Sequence, residues 1–109
     1  MAVTQLPPEG LAEKLARGET PYLLDVREPW EFEICHLAGA VNLPLGLLAR
    51  QFDPTVLPEG REVVVICHHG MRSLQAAMWL QSRGVEGVLN LAGGIDRWAA
   101  TVDPAMARY

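Results

Sequence analysis

Four consecutive branched aliphatic residues, Val63-Val64-Val65-Ile66, most narrow what this chain can become. A half-exposed strand alternates apolar with polar residues, and a surface helix repeats its apolar positions at helical spacing. An unbroken run fits neither; it fits a strand covered on both faces, as inside a parallel sheet. The run ends at Cys67 and passes through His68, His69 and Gly70. From Ser73 onward, Leu74, Ala77 and Met78 fall at helical spacing until Gly84 supplies a stop. The segment therefore reads strand, tight loop, helix. Its thiol sits at the strand's carboxyl end, where open α/β sheets bind ligands.

The flanking sequence repeats the alternation. Residues 3–6 predict a short strand, and Pro7-Pro8-Glu9 opens a helix whose apolar face is Leu11, Ala12 and Leu15, ending at Gly18. Residues 22–26 predict a second strand, ending in a charged cluster of Asp25, Arg27 and Glu28. A short helix follows over 29–34, then a strand over 40–43 stopped by Pro44. Leu45, Leu47, Leu48 and Phe52 predict another helix, followed by a Pro/Gly-marked loop over 53–60. A last strand over 88–91, a turn at Gly93-Gly94 and a helix over 95–100 complete the pattern; the tail over 103–109 carries little signal. Strands alternating with helices imply parallel crossovers, hence an α/β sandwich with helices on both faces. The chain of 109 residues suits one domain over 1–109, with its core at about 3–100 and a short tail.

The net charge of −4 and the lack of a basic stripe argue against nucleic acid as a partner. The longest apolar run, ending at Cys67, is far short of a membrane span. The first residues show neither a basic nor an apolar leader region, so the expected compartment is the cytoplasm. There, Cys35 and Cys67 read as catalytic, redox-active or inert thiols rather than a structural disulfide. Each is followed by histidine. A zinc site from Cys35, His36, Cys67, His68 and His69 is disfavoured, because adjacent ligands do not readily share one tetrahedral ion. No metal is assigned.

A cysteine between a buried strand and a helix N-terminus lies under successive backbone N–H groups. Those groups and the helix dipole favour its thiolate and cradle an anion. Gly70 lets the backbone curl closely; His68, His69 and Arg72 add positive or switchable charge at the rim. A nucleophilic sulfur in such a nest suits phosphate esters, arsenate or thiosulfate as substrates. Elsewhere the residues read more plainly. Cys35 is a packed thiol, His36 a structural histidine, and Asp25 and Arg27 an exposed ion pair. Trp30, Phe32 and Trp98 read as core, with Trp30 or Trp98 as the alternative wall of a pocket.

Residues 67–73, Cys-His-His-Gly-Met-Arg-Ser, resemble the active-site loop of single-domain rhodaneses, whose small members often read Cys-x-x-Gly-x-Arg-Ser. Residues 24–32 with 36–44 are similar to that family's upstream signature, and residues 91–98 to its C-terminal one. The resemblance implies a rhodanese-like three-layer sandwich, with helices on both faces of a parallel five-stranded sheet. It implies a sulfurtransferase in which Cys67 accepts a sulfane sulfur from thiosulfate or another persulfide donor. The Cys67 persulfide then passes that sulfur to cyanide in an assay, or to a thiol or protein thiol, with no metal or organic cofactor. Amides over 68–73, from His68 through Gly70 and Met71 to Ser73, are expected to hold the persulfide's charge. Arg72 and His69 are expected to meet donor oxygens. Asp25 and Arg27 are placed in support under the loop. One departure is Cys35, where the family usually has glycine. The related phosphatases and arsenate reductases carry one residue more in the loop, so sulfur transfer is favoured over them. A non-catalytic interaction module is disfavoured because the cysteine is kept.

Overall fold

A computed structural model of the protein describes residues 3–57 and 59–109. Met1 and Ala2, at the head of the segment read for a leader, and Pro58, in the Pro/Gly-marked loop, lie outside it. The elements in chain order are β1 (Thr4–Leu6), α1 (Pro8–Ala16), β2 (Tyr22–Asp25), α2 (Pro29–Ile34) and β3 (Val41–Asn42). Then come α3 (Leu45–Gln51), β4 (Val63–Ile66), α4 (Met71–Ser82), β5 (Val88–Leu91) and α5 (Gly94–Thr101). A single 3-10 turn, Pro54–Val56, interrupts the loop before β4.

The sheet is parallel throughout, in the order β1-β5-β4-β2-β3. The aliphatic run is thus the central strand, and Val64 lies opposite both Leu23 and Leu89. Its side chains divide with the two-residue period of a strand. Val63, Val65 and Cys67 face one core with Leu48 of α3 and Ala76, Ala77 and Leu80 of α4. Val64 and Ile66 face the other, with Leu11 of α1 and Ile95 and Trp98 of α5. Each buried aliphatic side chain is worth about 1.5–3 kcal/mol of transfer free energy, which is why neither face tolerates a polar residue here.

Three features differ from the sequence reading. Helix α4 starts at Met71 rather than Ser73, because Gly70 at φ 100° reverses the chain in one residue. Trp30, expected in the core, is 60% exposed on the first turn of α2, while Trp98 is buried as expected. Asp25 and Arg27, exposed-looking by composition alone and placed under the loop by the family resemblance, are both fully buried. Among the described residues, no helix is long and apolar enough to cross a membrane.

Helix α5 ties the carboxyl end of β4 in place. The N–H groups of Ile95 and Asp96 donate to the carbonyls of Cys67 and His68 at 2.9 and 3.0 Å. Gly94 makes this approach possible: its φ is 63°, and a Cβ there would collide with the His68 carbonyl. Gly46, inside α3, has open space around it. Gly94→Ala is therefore expected to destabilise the fold by more than the ~1–2 kcal/mol of left-handed strain alone. Gly46→Ala is expected to stabilise it by up to about 1 kcal/mol. Denaturant unfolding of both variants checks the opposite signs.

Candidate active site

Cys67 follows the odd-numbered face of β4, which carries its sulfur under the start of α4. The N–H of Gly70 donates to Cys67 Sγ at 3.0 Å, and the thiol donates to Ser73 Oγ at 3.2 Å. The Ser73 hydroxyl in turn donates to Asn90 Oδ1 on β5. Asn90 Nδ2 donates to the Gly70 carbonyl at 3.1 Å and to Gln5 Oε1 on β1 at 3.0 Å. The cysteine is 1% exposed, so the sulfur lies at the base of the loop rather than at its rim. The positive end of the twelve-residue α4 lies directly behind Gly70. Of the amides expected to face it, Gly70 supplies this hydrogen bond.

A second network joins the loop to α2 and to the tail. Arg27 Nε and Nη2 donate to Asp25 Oδ1 and Oδ2 at 2.9 and 2.7 Å. Its remaining donors reach the carbonyls of Glu31 and Cys35 and the Tyr109 hydroxyl. A buried ion pair is tolerable when every donor is used in this way. Asp25 also accepts the Arg27 backbone N–H at 3.1 Å. Glu31, nearly as buried, accepts Arg72 Nη1 at 2.7 Å and Nη2 at 2.9 Å, the Tyr109 hydroxyl at 2.8 Å and the Glu28 N–H at 3.0 Å. Its hydrogen bonds from Arg72 hold its carboxyl well below the usual range, at about 2. Burial pushes the Tyr109 phenol up to about 12, its hydrogen bond to Glu31 adding to the effect. The guanidinium of Arg72 thus faces a carboxylate, not the open loop where donor oxygens were expected.

The two loop histidines differ. His68 stacks on Tyr109 with centroids 3.9 Å apart, and burial, followed by the neighbouring His69, holds its imidazole below the usual range. Near neutral pH it contributes ring surface rather than charge. His69 is largely exposed, its Nε2 3.9 Å from Asp96 Oδ2. The ligand atoms of His68, His69 and Asp96 lie within 4.8 Å of one another. The two rings lie nearly face to face, however, tilted by 31°, and Arg108 pairs with Asp96 at 3.0 Å. The Asp96 carboxylate is thus already engaged by a guanidinium. Met71 projects outward and is 71% exposed.

Cys35 has φ −165°, an extended backbone that needs no glycine, and both cysteines are free thiols. Its sulfur lies 4.0 Å from Arg27 Nη1. Sequence reasoning missed Glu31, Asn90 and Tyr109. Asn90 alone left a signal, as a polar residue inside an otherwise apolar strand. Glu31 reads as an ordinary first-turn acid, and Tyr109 closes a tail with no periodicity.

The chain is similar to known proteins along nearly its whole length. The Rhodanese-like domain family matches residues 7–101. A sulfurtransferase of Allochromatium vinosum is 36% identical over 105 residues, 96% of either chain. The chloroplastic Rhodanese-like/PpiC domain-containing protein 12 of Arabidopsis thaliana is 42% identical over 90 residues, 80% of this chain. The chain spans 30% of that relative's length. Among solved structures, the human single-domain sulfurtransferase TSTD1 superposes with a TM-score of 0.76 at 29% identity, covering 89% of this chain and 96% of that one.

Because the Glu31 carboxyl is held below its free value of 4.5, its ionised form stabilises the folded state above that pH. The contribution is lost as pH falls from 4.5 towards about 2. Glu31→Gln is expected to cost about 1–3 kcal/mol near neutral pH. The variant's stability is also expected to change less than that of wild type across the acid window. Urea unfolding at a series of pH values reads both effects.

Proposed function

The chain belongs to the rhodanese-like domain family, and on that premise we propose that it transfers sulfur through a persulfide on Cys67. The observation that carries this reading is the sulfur's position. It sits at the carboxyl end of the central strand, with the Gly70 N–H aimed at it from 3.0 Å at the head of α4. A fixed donor at that place stabilises charge without reorganising during the reaction, as an oxyanion hole does.

In the proposed cycle the Cys67 thiolate attacks the outer, sulfane sulfur of thiosulfate or of another persulfide donor. The new S–S bond forms as the donor's own S–S bond breaks, and sulfite, or the donor thiolate, leaves with the bonding pair. The terminal sulfur of Cys67 then carries the negative charge and moves into the curl of the loop. A thiophilic acceptor, such as cyanide or a thiol, attacks that sulfur and returns Cys67 as thiolate. The cycle uses no metal or organic cofactor, since the cysteine itself carries the transferred atom. Both terminal nitrogens of Arg72 are engaged by Glu31, so a donor's oxygens meet Arg72 through Nε or by displacing the carboxylate.

Incubation with thiosulfate followed by mass spectrometry tests the reading. Wild type is expected to gain the mass of one sulfur on the peptide bearing Cys67, removable by cyanide or dithiothreitol. Cys67→Ala is expected to gain none, with thiocyanate formation falling to background. Sulfur added equally to both proteins, or to Cys35 alone, overturns the assignment.

A further inference from the structure

We infer that Asn90 is a positioning residue for the Cys67 sulfur, holding Ser73 so that its hydroxyl oxygen, not its proton, faces Sγ. The inference rests on the reading of Cys67 as the reacting group, and it concerns what must move when that sulfur becomes charged.

The argument is a count of donors. Ser73 has one hydroxyl proton and two lone pairs. Asn90 Nδ2 lies 3.1 Å from the Gly70 carbonyl, a backbone acceptor that demands the NH2 group on that side, and 3.0 Å from Gln5 Oε1, which accepts from it. The opposite atom is therefore the carbonyl oxygen Oδ1, an acceptor, and it takes the Ser73 proton. With that proton committed, Ser73 Oγ can meet Cys67 Sγ at 3.2 Å only as an acceptor of the thiol S–H. The resting arrangement therefore fits a protonated sulfur. A thiolate or a bound persulfide has no proton to give. Facing either, the lone pairs of Ser73 are repulsive until the hydroxyl rotates to donate, and that rotation breaks the bond to Asn90.

Asn90 holds Gly70 as well, through its carbonyl, and Gly70 is the other residue in contact with the sulfur. One side chain on β5, 2% exposed, thus hydrogen-bonds both residues that hydrogen-bond Sγ. A neutral amide suits the task. The bond to the hydroxyl joins two uncharged groups, and a charged sulfur competes for the same proton as the stronger acceptor.

The test is independent of any sulfur donor, so it can fail while sulfur transfer stands, and the reverse. In a Cys35→Ser background, thiolate ultraviolet absorbance is followed against pH, with Cys67→Ser as the blank. Asn90→Leu frees the Ser73 hydroxyl to donate to the thiolate. It is expected to move the titration midpoint about half to one pH unit lower. With Ser73→Ala also present, the same Asn90→Leu change is expected to move the midpoint less, since only the hold on Gly70 is then lost. A midpoint that does not move, or that moves equally without Ser73, overturns the inference. Asn90→Ala, which leaves room for water, serves should leucine disturb the sheet. The Raman S–H band of Cys67 gives a reading with Asn90 intact. It is expected at a hydrogen-bonded frequency in the parent and at the free frequency in Ser73→Ala, and a free band in the parent overturns the inference.

Discussion

The loop after the central strand folds back into the protein, so its backbone polar groups must find partners there. Burying a peptide group without a hydrogen bond costs more than most side-chain contacts return. The carbonyls of Cys67 and His68 are satisfied by the first N–H groups of α5, and that of Gly70 by Asn90 and the Leu74 N–H. The Gly70 N–H is satisfied by the sulfur itself. Three separate pieces of chain (α5, β5 and the start of α4) therefore converge on one short loop. Its conformation is dictated by hydrogen-bond completeness and not by its own sequence preferences.

The ionic network outside the loop follows the same logic at higher stakes. Asp25 and Arg27 are fully buried, a state that is unfavourable for an isolated pair. Here the guanidinium is closed by a carboxylate, two carbonyls and a phenol. Tyr109 joins this group to the Glu31–Arg72 pair, and its ring covers His68. Tyr109 is thereby coupled to the residues beside Cys67 through charge and aromatic surface.

Much of this was legible in the residues. The aliphatic run required a covered strand, and the thiol after it, followed by glycine and a helical pattern, marked the candidate site. Those features depend on local sequence and on a periodicity that survives any tertiary arrangement. Other features depend on which distant segment covers which surface. The charges at the end of β2 look solvated until Tyr109 and α2 close over them. Trp30 looks like core, yet α2 anchors itself through Glu31 and leaves the indole outside. The hydrogen bonds of Asn90 belong in the same group, since a lone polar residue in a strand reveals that a partner is needed and not which one. The family usually places glycine where Cys35 stands, which raised a question of strain, and its extended backbone answers it.

The alternation of the two cores along β4 has a consequence for how the site can vary. Cys67 shares a face with Val63 and Val65, while Val64 and Ile66 point the opposite way. Sliding that strand by a single position would keep the sheet just as greasy, because every residue in the run is interchangeable with its neighbour as a hydrophobe. It would nevertheless swing the thiol through half a turn, away from the amide and the hydroxyl that attend it. Deleting or inserting one valine would thus keep the run apolar while turning the thiol away from the groups that hydrogen-bond it.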